Sequence, residues 1–175
     1  TWLGEYTFPL ESRFKDLEFA NEIYGDVVNT TLRHGTTTAM YFATVDRESS
    51  ILLASLCGEL GQRGLIGKVA MDDPNSNAEF YRDNSPEGAV YETEKFINNI
   101  LEIQNLYNQN VYPVVTPRFI PSCTSEALAG LGMLAKKYDV HIQTHCSESD
   151  WAHQFVKEKY GVNDAQALDN FGLIT

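Results

Sequence analysis

Helical and strand patterns alternate along this sequence, and this alternation limits the folds that the chain can adopt. Four segments are rich in β-branched and aromatic residues, as strands are, and a helical pattern of apolar residues follows each of them. Strands that alternate with helices form βαβ units, which place the strands side by side in a parallel sheet. The sequence therefore predicts an α/β fold with a parallel sheet.

The boundaries of these elements follow from periodicity, capping residues, Gly and Pro. The predicted strands are Thr36–Thr44, Leu65–Asp72, Val111–Phe119 and the first half of the stretch Val140–Asp150. The predicted helices run from Phe14 to Arg33, from the cap Asp46 to Gly61, from the cap Ser85 through Leu101, from the cap Thr124 through Tyr138, from Trp151 to Tyr160, and from the cap Asn163 to about Phe171. We expect loops at Thr1–Arg13, an aromatic segment that contains Pro9, and at Asp73–Asp83.

Polar side chains on the predicted strands favour a barrel over an open sheet. Strands of an open parallel sheet are apolar on both faces. Here Lys68 and Asp72 share one face of a strand, and His141, Gln143 and His145 share one face of another. Such faces suit the interior of a catalytic (β/α)₈ TIM barrel. A complete barrel takes about 250 residues, so the 175 residues and four strands of this chain predict a partial one.

Net charge and cysteine content limit the possible partners and compartments. The formal net charge is −11 and the pI is about 4.7, so no basic surface is expected for nucleic acid or an anionic membrane. No apolar run approaches the roughly 20 residues that span a bilayer. The cysteines are odd in number, lie far apart and form no C-x-x-C pair, which predicts neither a disulfide framework nor a thiolate metal site. Free thiols fit a reducing, cytoplasmic compartment.

The stretch Val140–Asp150 carries the residues best suited to chemistry. In a parallel sheet functional side chains gather at the carboxyl ends of strands, where Asp72, Arg118 and His145 fall by this assignment. His145 could supply an imidazole to a metal ion, and Glu148 could reach a metal-bound water. Equally, His145 could be a hydrogen-bonded barrel residue, and Glu148 could favour the start of a helix capped by Ser147.

Two further candidates leave alternatives open. Arg118 offers a fork of donors and Phe119 an aromatic face, a pair that could hold a planar heterocycle with a ring carbonyl. The alternative is a structural salt bridge for Arg118 and a core position for Phe119. Cys146 follows His145 directly, but neighbouring strand residues point to opposite faces, so we expect Cys146 to be a small packed residue rather than a nucleophile.

These motifs also carry a resemblance to a known family. Thr116-Pro-Arg-Phe119, followed at a helix's distance by His141-Ile-Gln-Thr-His-Cys-Ser-Glu148, resembles the guanine deaminases. The segments Arg33–Thr44 and Gly67–Asp72 are similar to the same family, so the resemblance extends over essentially the whole chain. The wider group is the amidohydrolase superfamily of zinc-dependent (β/α)₈ barrels.

The resemblance implies a reaction and a role for each candidate residue. The implied reaction is hydrolytic deamination of guanine to xanthine and ammonia. His145 matches the zinc ligand at the end of the fifth strand and Glu148 the catalytic carboxylate that moves protons, and both would also contact the substrate. Arg118 and Phe119 match the pair that holds the purine. The resemblance further implies strands two to five of the barrel, one Zn²⁺ per subunit and a cytoplasmic homodimer.

The chain departs from the family pattern in its metal ligands. The family's first strand carries an H-x-H pair, and no H-x-H occurs in this sequence. The histidine of the sixth strand and the aspartate of the eighth are expected beyond Thr175. We therefore expect residues 1–175 to be part of a single catalytic domain whose first and sixth to eighth strands are not present, and to be inactive alone.

Two other functions remain open at this point. One is a related amidohydrolase that deaminates another amino-heterocycle, such as a triazine, a cytosine or an adenosine-like substrate. The other is a barrel-derived binding or scaffold protein that has lost its metal site.

Overall fold

A parallel sheet organises the chain, whose computed structural model describes residues 2–108 and 110–174. The strands are β1 (Thr38–Phe42), β2 (Arg63–Gly67), β3 (Val69–Ala70), β4 (Val111–Pro117) and β5 (His141–Ile142). All pairings are parallel: β1 pairs with β2, β2 and β3 both pair with β4, and β4 pairs with β5. Because β2 and β3 are consecutive pieces interrupted at Lys68, they correspond to one predicted strand. All four predicted strands are present, but the last one covers only His141–Ile142 and does not extend to His145.

Helices connect the strands and cover one side of the sheet. Their bounds are α1 (Phe8–Ser12), α2 (Leu17–Arg33), α3 (Arg47–Leu60), α4 (Pro86–Gln104), α5 (Ser125–Tyr138), α6 (Asp150–Tyr160) and α7 (Asp164–Asn170). The predicted caps of four helices are confirmed, because each side chain accepts a hydrogen bond from a backbone N–H of the first turn; these caps are Asp46, Ser85, Thr124 and Asn163. Gly61 ends α3 in the left-handed conformation, with a φ of 81°.

The amino-terminal segment differs from the prediction. In place of the loop over 1–13, a π-helical turn (Leu3–Thr7), α1 and a 3₁₀ turn (Arg13–Lys15) follow one another, while Thr1 lies outside the described residues. Pro9 suggests irregular structure, but it lies in the first turn of α1, a position that its fixed φ allows.

The segment after β5 also differs. Ser149, not Ser147, caps α6, since its hydroxyl oxygen accepts a hydrogen bond from the N–H of Ala152 at 3.2 Å. Ser147 adopts a left-handed conformation with a φ of 54° and donates its hydroxyl to Asp164 Oδ2 at 2.8 Å. Local sequence cannot distinguish two serines two positions apart, and the contact with Asp164 decides between them. Glu148 therefore precedes the helix instead of lying in its first turn.

The two faces of the sheet differ in polarity. The face that packs against the helices is apolar, and the opposite, inner face is polar. Buried residues such as Val115, Leu128 and Ile97 pack between the sheet and the helices, and Ile142 lies against this cluster. On the inner side, Gln143 Nε2 donates to Tyr41 O at 2.9 Å and to Thr116 Oγ1 at 3.1 Å. The predicted alternation along the last strand is thus confirmed at Ile142 and Gln143.

A buried ion pair holds the 73–83 loop to the sheet. Lys68 is 1% exposed, and its Nζ lies 2.8 Å from Asp83 Oδ1. The other oxygen of Asp83 accepts the N–H of Met71 at 2.9 Å, so both carboxylate oxygens have hydrogen-bond partners.

Within the described part of the chain, no helix combines the length and the apolar character that crossing a bilayer requires.

Candidate active site

A cavity of about 420 Å³ lies at the carboxyl ends of β1, β4 and β5. The four residues singled out from the sequence all line it: Arg118, Phe119, His145 and Glu148. Its other walls come from the amino-terminal helical segment and from the end of β1, through Trp2, Leu3, Thr7, Glu11 and Phe42. Residues far apart in sequence therefore meet where barrel enzymes carry their active sites.

The imidazole of His145 is oriented by the backbone of the neighbouring strand end. His145 Nδ1 lies 2.9 Å from the carbonyl oxygen of Arg118, and the same oxygen accepts the backbone N–H of His145 at 3.2 Å. A carbonyl oxygen only accepts, so Nδ1 carries a proton, and in the neutral imidazole Nε2 would then have the free lone pair. The ring of Phe42 meets the imidazole edge-on, with 4.6 Å between the centroids.

This arrangement fits one ligand of a metal ion. A histidine that binds a metal through one nitrogen usually donates the other N–H to a carbonyl or carboxylate, and the carbonyl of Arg118 takes that role here. Within residues 2–108 and 110–174, no group of three His, Cys, Asp or Glu side chains comes together that could hold a metal ion. The described residues thus fit a single position in a metal site, not a complete one.

Arg118 is buried and paired at the floor of the cavity. It is 9% exposed, and its two terminal nitrogens contact the two oxygens of Glu11 at 2.7 and 3.2 Å. Its guanidinium also lies over the ring of Phe8, 5.1 Å from the centroid. Arg118 therefore forms the salt bridge considered as the alternative, and both partners of this salt bridge line the cavity.

Phe119 and Glu148 line the cavity from two different loops. Phe119 lies two residues after the end of β4, is half-buried, and has the ring of Trp151 at a centroid distance of 6.4 Å. Glu148 is exposed in the loop between β5 and α6, next to the contact between Ser147 and Asp164. The aromatic face and the carboxylate therefore border the same space.

Three other residues considered from the sequence lie outside this cavity. Asp72 is buried, and its carboxylate accepts the N–H and the hydroxyl of Thr124 at 2.9 and 2.6 Å, so it supports the start of α5. His141 is exposed at the start of β5. The prediction that Cys146 packs in the interior is wrong, because its thiol is exposed. The chain leaves β5 at Ile142, and strand geometry no longer places Cys146 against the core.

The contributions of Glu11, Phe8 and Phe42 were missed by sequence reasoning. Glu11 and Phe8 belong to the segment that was predicted to be a loop, and nothing local links Glu11 to a residue 107 positions away. Pro9 in the pattern Phe8-Pro9-Leu10-Glu11 was the available signal, since Pro in a first helical turn followed by Glu is typical of a helix start.

Comparison with known proteins identifies the family to which the chain belongs. The sequence pattern of the amidohydrolase family matches residues 2–174. The chain belongs to the amidohydrolase family. This amidohydrolase chain is 45% identical to the guanine deaminase of Homo sapiens over 159 aligned residues. The alignment covers 91% of this chain and 34% of the human protein. The chain therefore spans about a third of the length of the curated relatives it matches.

Solved structures agree with this assignment. The chain matches a crystal structure of guanine deaminase from C. acetobutylicum with bound guanine in the active site, with a TM-score of 0.89 and 32% identity. The match covers 98% of this chain and 40% of that one. A zinc-bound adenosine deaminase from Xanthomonas campestris, 19% identical, shares the fold with a TM-score of 0.78, over 99% of this chain and 36% of that one. The predicted partial TIM barrel of the metal-dependent hydrolase type is confirmed.

Proposed function

We propose that this chain is part of an enzyme that deaminates guanine hydrolytically to xanthine and ammonia. One observation carries the proposal: Arg118, Phe119, His145 and Glu148, which match the guanine deaminase motifs, all line one cavity. The likeness to guanine deaminases, at 45% identity to the human protein, supports the choice of substrate.

The cavity offers the groups that a purine requires. The aromatic face of Phe119 can stack on a planar ring, and the N–H groups of Arg118 that Glu11 does not occupy can donate to ring oxygen or nitrogen. A ring carbonyl such as that of guanine can accept from these N–H groups, whereas a ring without an acceptor at that position would leave a buried donor unpaired.

Glu148 is proposed as the catalytic acid and base. Its carboxylate takes a proton from the attacking water, whose oxygen adds to the amino-bearing carbon, and delivers this proton to the ring nitrogen. Glu148 then takes the proton of the newly added hydroxyl and gives it to the amino group, so that the carbon–nitrogen bond breaks, ammonia leaves and the carbonyl of xanthine forms. Proton transfer of this kind contributes about 10²–10⁴ in rate.

The proposed metal is Zn²⁺, with His145 as its one ligand from this chain. The zinc-bound relative of the same fold supports this choice. When bound, zinc would lower the pKa of water to about 7 and so assist its attack. We further propose that the remaining ligands belong to other strands of a longer protein, of which residues 1–175 are strands two to five.

The compartment and oligomeric state are likewise proposals. Three free cysteines, of which Cys57 and Cys123 are buried, suit a reducing cytoplasm, where thiols persist. A homodimer is proposed from the resemblance to the guanine deaminase family. Light scattering of the complete protein at several concentrations tests the dimer, and a single monomeric mass would contradict it.

Ammonia release from guanine by the complete protein tests the proposed reaction. We expect Glu148→Gln to lower kcat by about 10²-fold or more, because the amide cannot accept the proton of water. The matched control is Glu22→Gln, which removes one charge from an exposed position of α2. Activity on an adenosine-like, cytosine or triazine substrate without activity on guanine would contradict the proposal, and so would full activity of Glu148→Gln.

A further inference from the structure

Glu11 makes a two-point contact with the arginine at the floor of the cavity. Arg118 Nη1 donates to Glu11 Oε2 at 2.7 Å, and Nη2 donates to Oε1 at 3.2 Å. A carboxylate that accepts two parallel N–H groups fixes both the position and the plane of a guanidinium. The contact joins residues 107 positions apart and ties the amino-terminal helical segment to the end of β4.

The helical segment that carries Glu11 rests on a packed support. The ring of Phe8 lies below the guanidinium, 5.1 Å from Arg118 Cζ, and packs against Tyr81 with 5.6 Å between the centroids. The hydroxyl oxygen of Tyr81 accepts the backbone N–H of Val45 at 3.2 Å. Burial raises the pKa of Tyr81, and the negative charge of Glu11 raises it further. Glu11 and Tyr81 also line a common cavity beside this segment.

The burial of Arg118 makes this pairing consequential. A cation that is 9% exposed has little water to replace a lost partner, and a long arginine side chain has other rotamers to adopt. Glu11 occupies two of the five N–H groups of the guanidinium, and it lines the same cavity as Arg118. The remaining N–H groups therefore keep one direction relative to the cavity for as long as Glu11 is in place.

We propose that Glu11 is a positioning residue that holds the guanidinium of Arg118 in the orientation required for contact with the substrate ring. Glu11 acts through Arg118 and takes no part in proton transfer. The role given to substrate contact rests on the proposed function, whereas the control of Arg118 orientation by Glu11 does not.

Steady-state kinetics of the complete protein on guanine test the effect on substrate. Glu11→Gln keeps the shape of the side chain but removes the charge and one acceptor, so we expect KM to rise about tenfold to a hundredfold, with kcat within about threefold of wild type. Glu11→Asp keeps the charge and withdraws the carboxylate, and should raise KM as well. Glu22→Gln, the matched exposed control, should leave both constants unchanged.

A double-mutant comparison separates positioning from a general loss of stability. If Glu11 acts through Arg118, adding Glu11→Gln to Arg118→Ala should change KM by less than about twofold. Equal effects of Glu11→Gln in both backgrounds would overturn the inference, as would a lowered melting temperature with an unchanged KM.

Crystal structures of the wild-type and Glu11→Gln proteins give a readout that is independent of guanine. We expect the Arg118 guanidinium to leave its wild-type position in the variant. An unmoved guanidinium overturns the inference. If the wild type fails to deaminate guanine, the proposed function fails, and the position of Arg118 in the two structures still decides the role of Glu11.

Discussion

At the scale of single residues, Arg118 joins two parts of the candidate site. Its carbonyl oxygen orients the imidazole of His145, while its guanidinium lines the cavity in contact with Glu11. Backbone and side chain of one residue thus place two candidate groups relative to each other. Any change that moves the end of β4 should disturb both.

Burial also distinguishes the three thiols. Burial raises the pKa of Cys57 to about 12 and that of Cys123 to about 12, whereas the thiol of Cys146 is exposed. Since the thiolate is the reactive form, Cys57 and Cys123 should resist iodoacetamide at pH 8 in the folded protein. Peptide mass spectrometry after a timed reaction measures this. Unfolding in guanidinium should make both react at the rate of Cys146, and rapid labelling of Cys57 in the native protein would contradict the prediction.

At the scale of elements, the strand ends and the loops that follow them carry the candidate site. β4 ends directly before Arg118, and the loop after β5 carries His145 and Glu148. Inside the sheet, Gly67 ends β2 beneath the side chains of Thr116 and Gln143. The absence of a side chain at Gly67 therefore allows the polar inner layer to close.

Gly67→Ala tests this close approach. A Cβ at Gly67 would overlap Thr116 Oγ1 and Gln143 Nε2, so we expect a loss of about 1–3 kcal/mol in the free energy of unfolding. The control is Gly25→Ala in α2, where a Cβ meets open space and should add about 0.5–1 kcal/mol. Urea unfolding of the complete protein measures both. Equal stability of the two variants would contradict the prediction, because it would mean that Thr116 and Gln143 move aside for the added methyl group at little energetic cost.

Asp164 anchors the loop that carries Glu148. Asp164 is buried. Its Oδ2 accepts a hydrogen bond from the hydroxyl of Ser147 at 2.8 Å and lies 3.4 Å from His153 Nδ1. Asp164→Ala should leave Ser147 without this partner, cost about 1–3 kcal/mol in unfolding free energy and lower kcat. Asp169→Ala, an exposed position of the same helix, is the control. An unchanged kcat and stability in Asp164→Ala would exclude the anchoring role.

At the scale of the whole molecule, β1 and β5 are edge strands. Among the described strands, β1 pairs only with β2 and β5 pairs only with β4. Several large apolar residues are exposed, among them Trp2 and Met40, which lies on β1. In the proposed longer barrel, further strands pair with these edges and bring the other metal ligands towards His145.

Metal content of the complete protein tests this arrangement. We expect about one zinc ion per subunit, and we expect His145→Ala to lower the zinc content because it removes one of the few protein ligands of a catalytic site. His34→Ala, at an exposed helix end, should leave the content unchanged. Mass spectrometry of the dialysed proteins measures the metal. Stoichiometric zinc in His145→Ala would contradict the assignment of this ligand.

The sequence by itself determined the elements whose signals are local. The caps Asp46, Ser85, Thr124 and Asn163 and the alternation of apolar residues placed most helices and strands, because a capping oxygen or a periodic face acts within a few residues. The motifs around Arg118 and His145 could also be recognised from the sequence, because each consists of a few consecutive residues.

Only the tertiary structure decided the contacts between distant segments. It showed that 2–15 is helical and brings Glu11 to Arg118, that Asp164 draws Ser147 away from capping, and that Asp72 supports α5 instead of lining the cavity. A buried charge takes whichever partner the packing places beside it, and that choice depends on the closure of the whole sheet.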